Sequence, residues 1–291
     1  MTECSVSSRV RAEPLTATAS RVARWLLVEH RGAWGPQSVP SSRMPKEVAR
    51  RLAEIAAADG ARLLLVRRPA GVPSQDGRWV FSVDSRPGRE RVLAQHLETD
   101  DALLDLSPAD PARWVPYDGD LYLVCTHGRH DRCCALRGRP VAQALATQHP
   151  ERTWESSHVG GDRFAANVVV LPEGLYLGQI EAAAAVRVLA ELAQGRLPPG
   201  HVRGRSSLPL PTQAAQHFAR EALGRWGTDE LGVVSQEGAG ADTWRVQLAA
   251  PDVEVIVRYE RSTDGERHVL SCDAEEAKPV PVFRQVSLTQ H

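Results

Sequence analysis

The 291-residue sequence has few lysines, few aromatic residues and no long apolar run. Lys46 and Lys278 are its only lysines, and the formal net charge is -1, so nothing suggests general binding to nucleic acid. No apolar stretch approaches the ~20 residues of a membrane span, and the N-terminal residues lack the apolar core of a signal peptide. We therefore expect a cytoplasmic protein that binds neither nucleic acid nor a membrane.

The five cysteines are unevenly distributed along the chain. Cys125, Cys133 and Cys134 follow an apolar strand, and clustered cysteines in the cytoplasm are more often metal ligands or catalysts than disulfides. Pro140 is predicted to begin a helix. A thiol near a helix N-terminus and beside arginines has a lowered pKa, so Cys134 is predicted to be a thiolate, the form of cysteine that binds metal. The remaining two, Cys4 and Cys272, are not spaced as metal ligands. Cys272 is therefore predicted to be a packing residue and Cys4 a disordered thiol.

Two motifs in this region carry a family resemblance. A C-x8-C pattern is followed by S-H-x-G-G-x-x-F-A-x-N over residues 157–167. Together they resemble the sucrase/ferredoxin-like family, from about Trp25 to about Arg205. The resemblance implies a thioredoxin-like ferredoxin carrying a [2Fe-2S] cluster. It also implies ligands from C-x8-C and from an H-x3-H element, which fall on Cys125, Cys134 and His158, with Asp162 in place of the second histidine.

The aspartate at the fourth position is the departure from the family pattern. A carboxylate can bind iron, but it is a hard donor and adds one negative charge, so Asp162 should lower the reduction potential. Four arginines could offset that charge and donate hydrogen bonds: Arg129, Arg132, Arg137 and Arg163. Alternatively the fourth ligand is His127, His130 or Cys133, and Asp162 caps the loop. The glycines between His158 and Asp162 favour a loop there over a helix.

Other functions remain open from the residues alone. The same four side chains would also make a tetrahedral zinc site in a binding or scaffold protein. A thiol-disulfide couple of Cys125 and Cys134 is a further alternative, which C-x8-C spacing suits poorly. No glycine-rich nucleotide fingerprint or phosphate loop is present. We therefore favour an electron carrier that exchanges single electrons with a reductase and an acceptor protein over a complete enzyme.

The order of predicted elements indicates an α/β (α+β) fold. A strand, loop, helix and further strands occur twice, and WLLVEHRGAWG aligns with LYLVCTHGRHD. Internal duplication, with cysteines only in the second copy, and generic patterning explain this equally well. Arg203 and Arg205 are assigned to a solvated linker. The predicted organisation has four parts: a flexible segment (1–20), an N-terminal α/β domain (21–115), a thioredoxin-like ferredoxin domain (116–205), and a C-terminal helix with a small antiparallel sheet (206–291).

Overall fold

Two β-sheets and five α-helices make up the described part of the chain. The structure is a computed structural model that describes residues 3–107, 110–249, 251–262 and 268–291. Ten strands form the first sheet and four form the second, near the C-terminus, which confirms the predicted mixed α/β fold. The helices are α1 (Cys4–Val10), α2 (Lys46–Ala58), α3 (Arg132–Gln148), α4 (Ala182–Ala193) and α5 (Leu210–Leu223).

The first unit of the large sheet contains α2 and five strands. These are β1 (Arg24–Glu29), β2 (Ala61–Arg67), β3 (Arg78–Asp84), β4 (Arg91–Leu97) and β5 (Val115–Pro116). Helix α2 connects the parallel strands β1 and β2, while β3 pairs antiparallel with β1 and β4 pairs antiparallel with β3. Val48, Leu52 and Ile55 recur at helical spacing and are buried, so α2 covers one face of this unit.

The second unit contains α3, α4 and five further strands. These are β6 (Leu121–Cys125), β7 (Thr153–Ser156), β8 (Val168–Leu171), β9 (Leu175–Leu177) and β10 (Val202–Arg205). Helix α3 connects the parallel strands β6 and β7, while β8 pairs antiparallel with β6 and β9 pairs antiparallel with β8. Every residue of β6 is buried, as expected for a central strand covered on both faces.

The two units repeat one topology within a single sheet. Its strand order is β10-β9-β8-β6-β7-β2-β1-β3-β4-β5. When the five strands of each unit are numbered one to five along the chain, this order is the same from either edge of the sheet. At the seam β7 and β2 run antiparallel, with Val66 opposite Ser156 and Arg67 opposite Glu155. The units are therefore related by an approximate two-fold axis near the Val66–Ser156 pair. This repeat supports the internal duplication over generic patterning.

The second sheet is the small antiparallel sheet predicted from the alternating pattern near the C-terminus. Its strands are β11 (Gly232–Gly240), β12 (Thr243–Ala249), β13 (Val253–Arg261) and β14 (Pro281–Gln290). Val246, Val255 and Val257 form its buried face and pack against Ala215 and Ala219 of α5. The sheet thus has one dry face, covered by the helix that precedes it.

Two elements differ from their sequence-based predictions. The segment predicted to be flexible contains α1, whose Cys4 is buried against Cys133 and Ala165. Helix α3 begins eight residues before Pro140, because the Asp131 side chain accepts a hydrogen bond from the backbone N–H of Cys133 and caps the helix there. Pro140 consequently lies inside α3 and does not begin it.

The predicted solvated linker also contains a strand of the large sheet. Strand β10 pairs with β9, and Arg203 within it is only 2% exposed. Its guanidinium is buried because polar groups of the second unit surround it. The assignment of Arg203 to a solvated linker was therefore wrong.

Candidate metal centre

Cys125 and Cys134 are brought together by the close approach of α3 to the end of β6. Cys125 is the last residue of β6, and Cys134 lies in the first turn of α3. Gly138 allows this approach, since a Cβ atom there would lie 2.1 Å from the carbonyl oxygen of Cys125. Both thiols are buried, at 1% and 0% exposure. The C-x8-C spacing thus corresponds to one strand end and the helix that follows it.

His158 and Asp162 lie on the loop after β7, as the glycines between them predict. Gly160 and Gly161 both have positive φ, at 104° and 82°. A Cβ atom on Gly161 would lie 2.3 Å from Nη2 of Arg203, so the loop needs glycine for both its conformation and its close packing. Asp162 begins a short 3₁₀ turn, Asp162–Phe164.

The four residues predicted as ligands converge in the structure. Asp162 Oδ1 lies 3.1 Å from Cys134 Sγ and 3.0 Å from His158 Nδ1. Donor atoms of Cys125, Cys134 and His158 lie within 4.8 Å of one another, as do those of His130, His158 and Asp162. The site therefore offers two thiols, an imidazole and a carboxylate from three chain segments.

The electrostatics of this group favour ionised side chains. Hydrogen bonding with Cys134 holds the pKa of Cys125 well below its usual value, and His158 lowers it further. Burial opposes a charged His158, but hydrogen bonds with Asp162 and Cys125 outweigh it and raise the pKa of His158 to about 9. Burial likewise opposes ionisation of Asp162, yet the His158 hydrogen bond lowers its pKa overall. These shifts favour a thiolate at Cys125, a carboxylate at Asp162 and an imidazolium at His158.

Cys134 differs from its sequence-based prediction. Hydrogen bonding with Cys125, burial and the charge of Asp162 raise the pKa of Cys134 above its usual value. The prediction of a thiolate considered the helix N-terminus and nearby arginines, whereas the adjacent thiolate and carboxylate dominate. Ionisation is therefore favoured at Cys125 and disfavoured at Cys134.

The alternative fourth ligands occupy different environments. His127 uses both ring nitrogens, since Nε2 lies 2.8 Å from Gly35 O and Nδ1 accepts from the backbone N–H of His158 at 3.2 Å. Cys133 points away from this site and contacts Cys4 and Cys272. His130 stacks on His158, with ring centroids 3.7 Å apart, and its Nε2 lies 3.8 Å from Asp162 Oδ2. Only His130 is placed to compete with Asp162.

The first unit supports the site loop although it supplies none of these donors. Arg62 of β2 donates hydrogen bonds to the carbonyl oxygens of His158, at 2.8 Å, and Val159, at 3.0 Å. The Gly35 carbonyl, on the loop after β1, fixes the ring of His127. The site is therefore built in the second unit and braced across the seam.

The arginines nearest the site are not the set that the sequence suggested. Arg163 pairs with Glu13, and Arg137 pairs with Glu3. Arg203 instead donates to Gly160 O at 2.9 Å and to Asn167 Oδ1 at 2.8 Å, and burial lowers its pKa to about 10. The sequence contains no local signal for this role, because Arg203 reaches the loop from a distant strand.

Comparison with known proteins identifies the class to which the chain belongs. The profile of the sucrase/ferredoxin-like family matches residues 15–204, about two thirds of the chain. The chain therefore belongs to the sucrase/ferredoxin-like family, as its motifs indicated. The curated proteins contain no match to it.

Three solved structures are similar to part of the chain. One is a thioredoxin-like [2Fe-2S] ferredoxin from Aquifex aeolicus, with 19% identity over 30% of this chain and 91% of that chain, and a TM-score of 0.25. A cysteine-to-serine variant of that ferredoxin has 20% identity over 29% of this chain and 97% of that chain, with the same TM-score. A second such variant gives the same values.

The donor set suits the cofactor that the family name implies. Soft thiolates and an imidazole bind iron well, and four protein ligands are the number that a [2Fe-2S] cluster requires. Nδ1 of His158 lies 3.0 Å from Asp162 Oδ1, so these two donor atoms face the same space. In the part of the chain that the structure describes, no helix is long and apolar enough to cross a membrane.

Proposed function

We propose that this protein binds a [2Fe-2S] cluster through Cys125, Cys134, His158 and Asp162 and transfers single electrons between partner proteins. The observation that supports this most strongly is the meeting of these four side chains at one place, in a chain of the sucrase/ferredoxin-like family. Cys125, Cys134 and His158 form one close group, and Asp162 contacts the latter two. A cluster of this type accepts one electron from a reductant and passes it to an oxidant. Here a reductase protein supplies the electron and a second protein accepts it.

The two thiols are the most enclosed of the four residues, and His158 is the most accessible. Cys125 and Cys134 are fully enclosed and would hold one iron away from water. His158 is 22% exposed at its side chain, and its stacked neighbour His130 is 37% exposed. The histidine side therefore faces solvent and is the side at which a redox partner would exchange electrons.

Asp162 is the fourth ligand in this proposal. It lies beside both Cys134 and His158, whereas His127 has both nitrogens engaged and Cys133 belongs to another group. Asp162 adds a negative charge to the site, and the buried guanidinium of Arg203 beside the same loop partly balances it. The ligand set would thus combine two thiolates, one imidazole and one carboxylate.

We place this function in the cytoplasm. All five cysteines, each in the described part of the chain, are free thiols, which fits a reducing compartment. Zinc in the same site, in a protein without a redox role, is the competing function, because zinc accepts the same donors.

The test is an anaerobic absorption and EPR spectrum of the wild type, Asp162→Ala and His130→Ala, with iron and sulfide assays. We expect a reducible [2Fe-2S] signal in the wild type that Asp162→Ala shifts or abolishes and His130→Ala preserves. The reverse pattern would make His130 the ligand. A colourless wild type that holds zinc in this site would overturn the cluster assignment.

A further inference from the structure

A second group of thiols lies at the start of α3, outside the site described above. The Sγ atoms of Cys4, Cys133 and Cys272 are separated by 3.7 Å (Cys4 to Cys133), 3.2 Å (Cys133 to Cys272) and 3.6 Å (Cys272 to Cys4). All three residues are buried. They come from α1, from α3 and from the turn between β13 and β14, so chain connectivity does not explain their meeting.

Asp131 completes this group with a carboxylate. Its Oδ1 accepts the backbone N–H of Cys133 at 2.7 Å, and its Oδ2 accepts that of Cys272 at 2.6 Å and lies 3.7 Å from Cys4 Sγ. Each carboxylate oxygen has a second lone pair beyond the one that accepts the N–H. Asp131 is 1% exposed, so a charged carboxylate here calls for a cation nearby.

We propose that Cys4, Cys133, Cys272 and Asp131 bind a structural zinc ion. The donor atoms of the four residues all lie within 4.8 Å of one another. A tetrahedral zinc ion with Zn–S bonds of about 2.3 Å places its thiolate sulfurs about 3.8 Å apart. Two of the three sulfur separations lie within about 0.2 Å of that value, and the Cys133–Cys272 pair must widen by about 0.6 Å.

The chemistry of the surrounding groups agrees with a closed zinc site. Structural zinc sites have four protein donors and are enclosed, as these four residues are. The Ser5 hydroxyl lies 3.2 Å from Cys133 Sγ and can donate a hydrogen bond to the thiolate. Arg132 interacts with Cys272 and adds positive charge to a group with up to four negative charges. A disulfide would use only two of the three thiols and leave the third and Asp131 without a role.

The adjacent cysteines Cys133 and Cys134 therefore serve different sites. Successive residues on a helix project about 100° apart, so one faces α1 and the other faces Cys125. The zinc ion would join α1 and the C-terminal segment to the first turn of α3. This proposal uses none of the donors assigned to the cluster and does not depend on it.

The test measures zinc per chain and its ligands in the purified full-length protein. We expect about one zinc per chain in this site, and zinc-edge X-ray absorption with three sulfur neighbours and one oxygen neighbour. Cys4→Ser and Cys272→Ser should each lower the zinc content at least about tenfold in the presence of a competing chelator. Iron and sulfide, assayed in the same samples, report on the other site separately.

Two matched variants serve as controls. Ser271→Ala changes the residue beside Cys272 without removing a sulfur and should retain zinc. Cys125→Ser removes a donor of the other site and should also retain this zinc ion. Zinc that is lost in Cys125→Ser but kept in Cys272→Ser would overturn the proposal, as would a Cys133–Cys272 disulfide found by mass spectrometry in wild type.

A measurement on wild type covers the case in which the cysteine variants do not fold. Zinc is removed with a chelator and Co²⁺ is added. An intense thiolate-to-cobalt charge-transfer band with tetrahedral ligand-field bands, lost again on adding zinc, supports the site. The same bands should persist in Cys125→Ser, which isolates this site from the other. Octahedral cobalt without thiolate bands in Cys125→Ser would overturn the proposal.

Discussion

The two units of the large sheet share a backbone plan but differ at one strand end. Glu29 ends β1 opposite Val66, and Cys125 ends β6 opposite Ser156. In each unit the following residue donates its backbone N–H to the second strand, at 2.8 Å to Val66 O and 3.1 Å to Ser156 O. Glu29 is therefore the structural equivalent of Cys125. The same backbone position holds a carboxylate in one unit and a thiolate in the other.

The difference shows that this strand topology is compatible with a metal site but does not by itself produce one. Glu29 accepts hydrogen bonds from Arg31 at 3.2 Å and from the backbone N–H of Trp79 at 3.0 Å, so it closes a structural ion pair. Cys125 instead faces Cys134 and His158. The loops after the equivalent strands determine which chemistry develops, and the first unit uses its own loop to brace that of the second.

Replacing Cys125, the proposed ligand at the end of β6, is the test of this comparison with the largest expected effect. Cys125→Ser removes a thiolate that no nearby group replaces, so we expect iron and sulfide content to fall by more than about tenfold. Glu29→Gln, at the equivalent position, should leave both unchanged. Equal loss of iron in the two variants would show that the strand end acts through folding and not through its side chain. Iron and sulfide assays with circular dichroism make the distinction.

The outer strands offer a second contrast between the units. Arg203 on β10 is buried and holds the His158 loop, whereas Val115 on the equivalent outer strand β5 is 66% exposed. Arg203→Met leaves Gly160 O and Asn167 Oδ1 without their donor, so the free energy of unfolding should fall by about 2–4 kcal/mol. Arg205→Met loses a partly exposed pair with Glu90 and should cost under about 1 kcal/mol. Urea denaturation of both variants compares them.

The charge at Asp162, the proposed fourth ligand, can be changed while a metal-binding atom is kept. Asp162→His replaces a carboxylate with a neutral imidazole, so the reduction potential should rise by on the order of 100 mV. Protein-film or spectroelectrochemical titration measures the shift. His130→Gln, which changes a neighbouring histidine that we do not assign as a ligand, should move the potential much less. A fall in potential for Asp162→His would contradict carboxylate ligation.

The bracing across the seam should have the smallest effect. Arg62→Gln weakens the hydrogen bonds to the carbonyls of His158 and Val159, so cluster release to a chelator should accelerate about tenfold. Arg50→Gln, which disrupts only an exposed pair with Glu54 on α2, is the matched control. Identical release rates for both variants would show that the first unit does not support the site.

The fold and the meeting of the four proposed ligands were predictable where the signals are local. Cys125, Cys134, His158 and Asp162 lie within one short stretch, and strand and helix periodicity places them near one another. The start of α3 was harder, since Pro140 resembles a helix start, whereas the helix begins where the Asp131 side chain accepts a hydrogen bond from Cys133 N. Sequence patterns show only how often a residue type begins a helix. In the structure, the helix begins where a side chain accepts a hydrogen bond from one of its unpaired backbone N–H groups.

The remaining features depend on contacts between distant segments. Cys4 and Cys272 are 268 residues apart, so no spacing rule could pair them. The interpretation of Cys4 as a disordered thiol was wrong, since Cys4 is buried in α1, whereas Cys272 is a buried packing residue as predicted. Arg203 had the same difficulty, because a charged residue near prolines and glycines is usually exposed. Tertiary packing decided both cases.

The three-cysteine group has a consequence for the order of events during synthesis. Cys272 follows Cys133 by 139 residues, so at ~5–20 residues per second the ribosome adds it roughly 7–28 seconds later. All four residues proposed for the cluster have been polymerised by then. The four proposed cluster ligands are therefore all synthesised while two thiols of the proposed zinc site await their third. Assembly would begin at the proposed cluster site, and metal capture by Cys272 would follow.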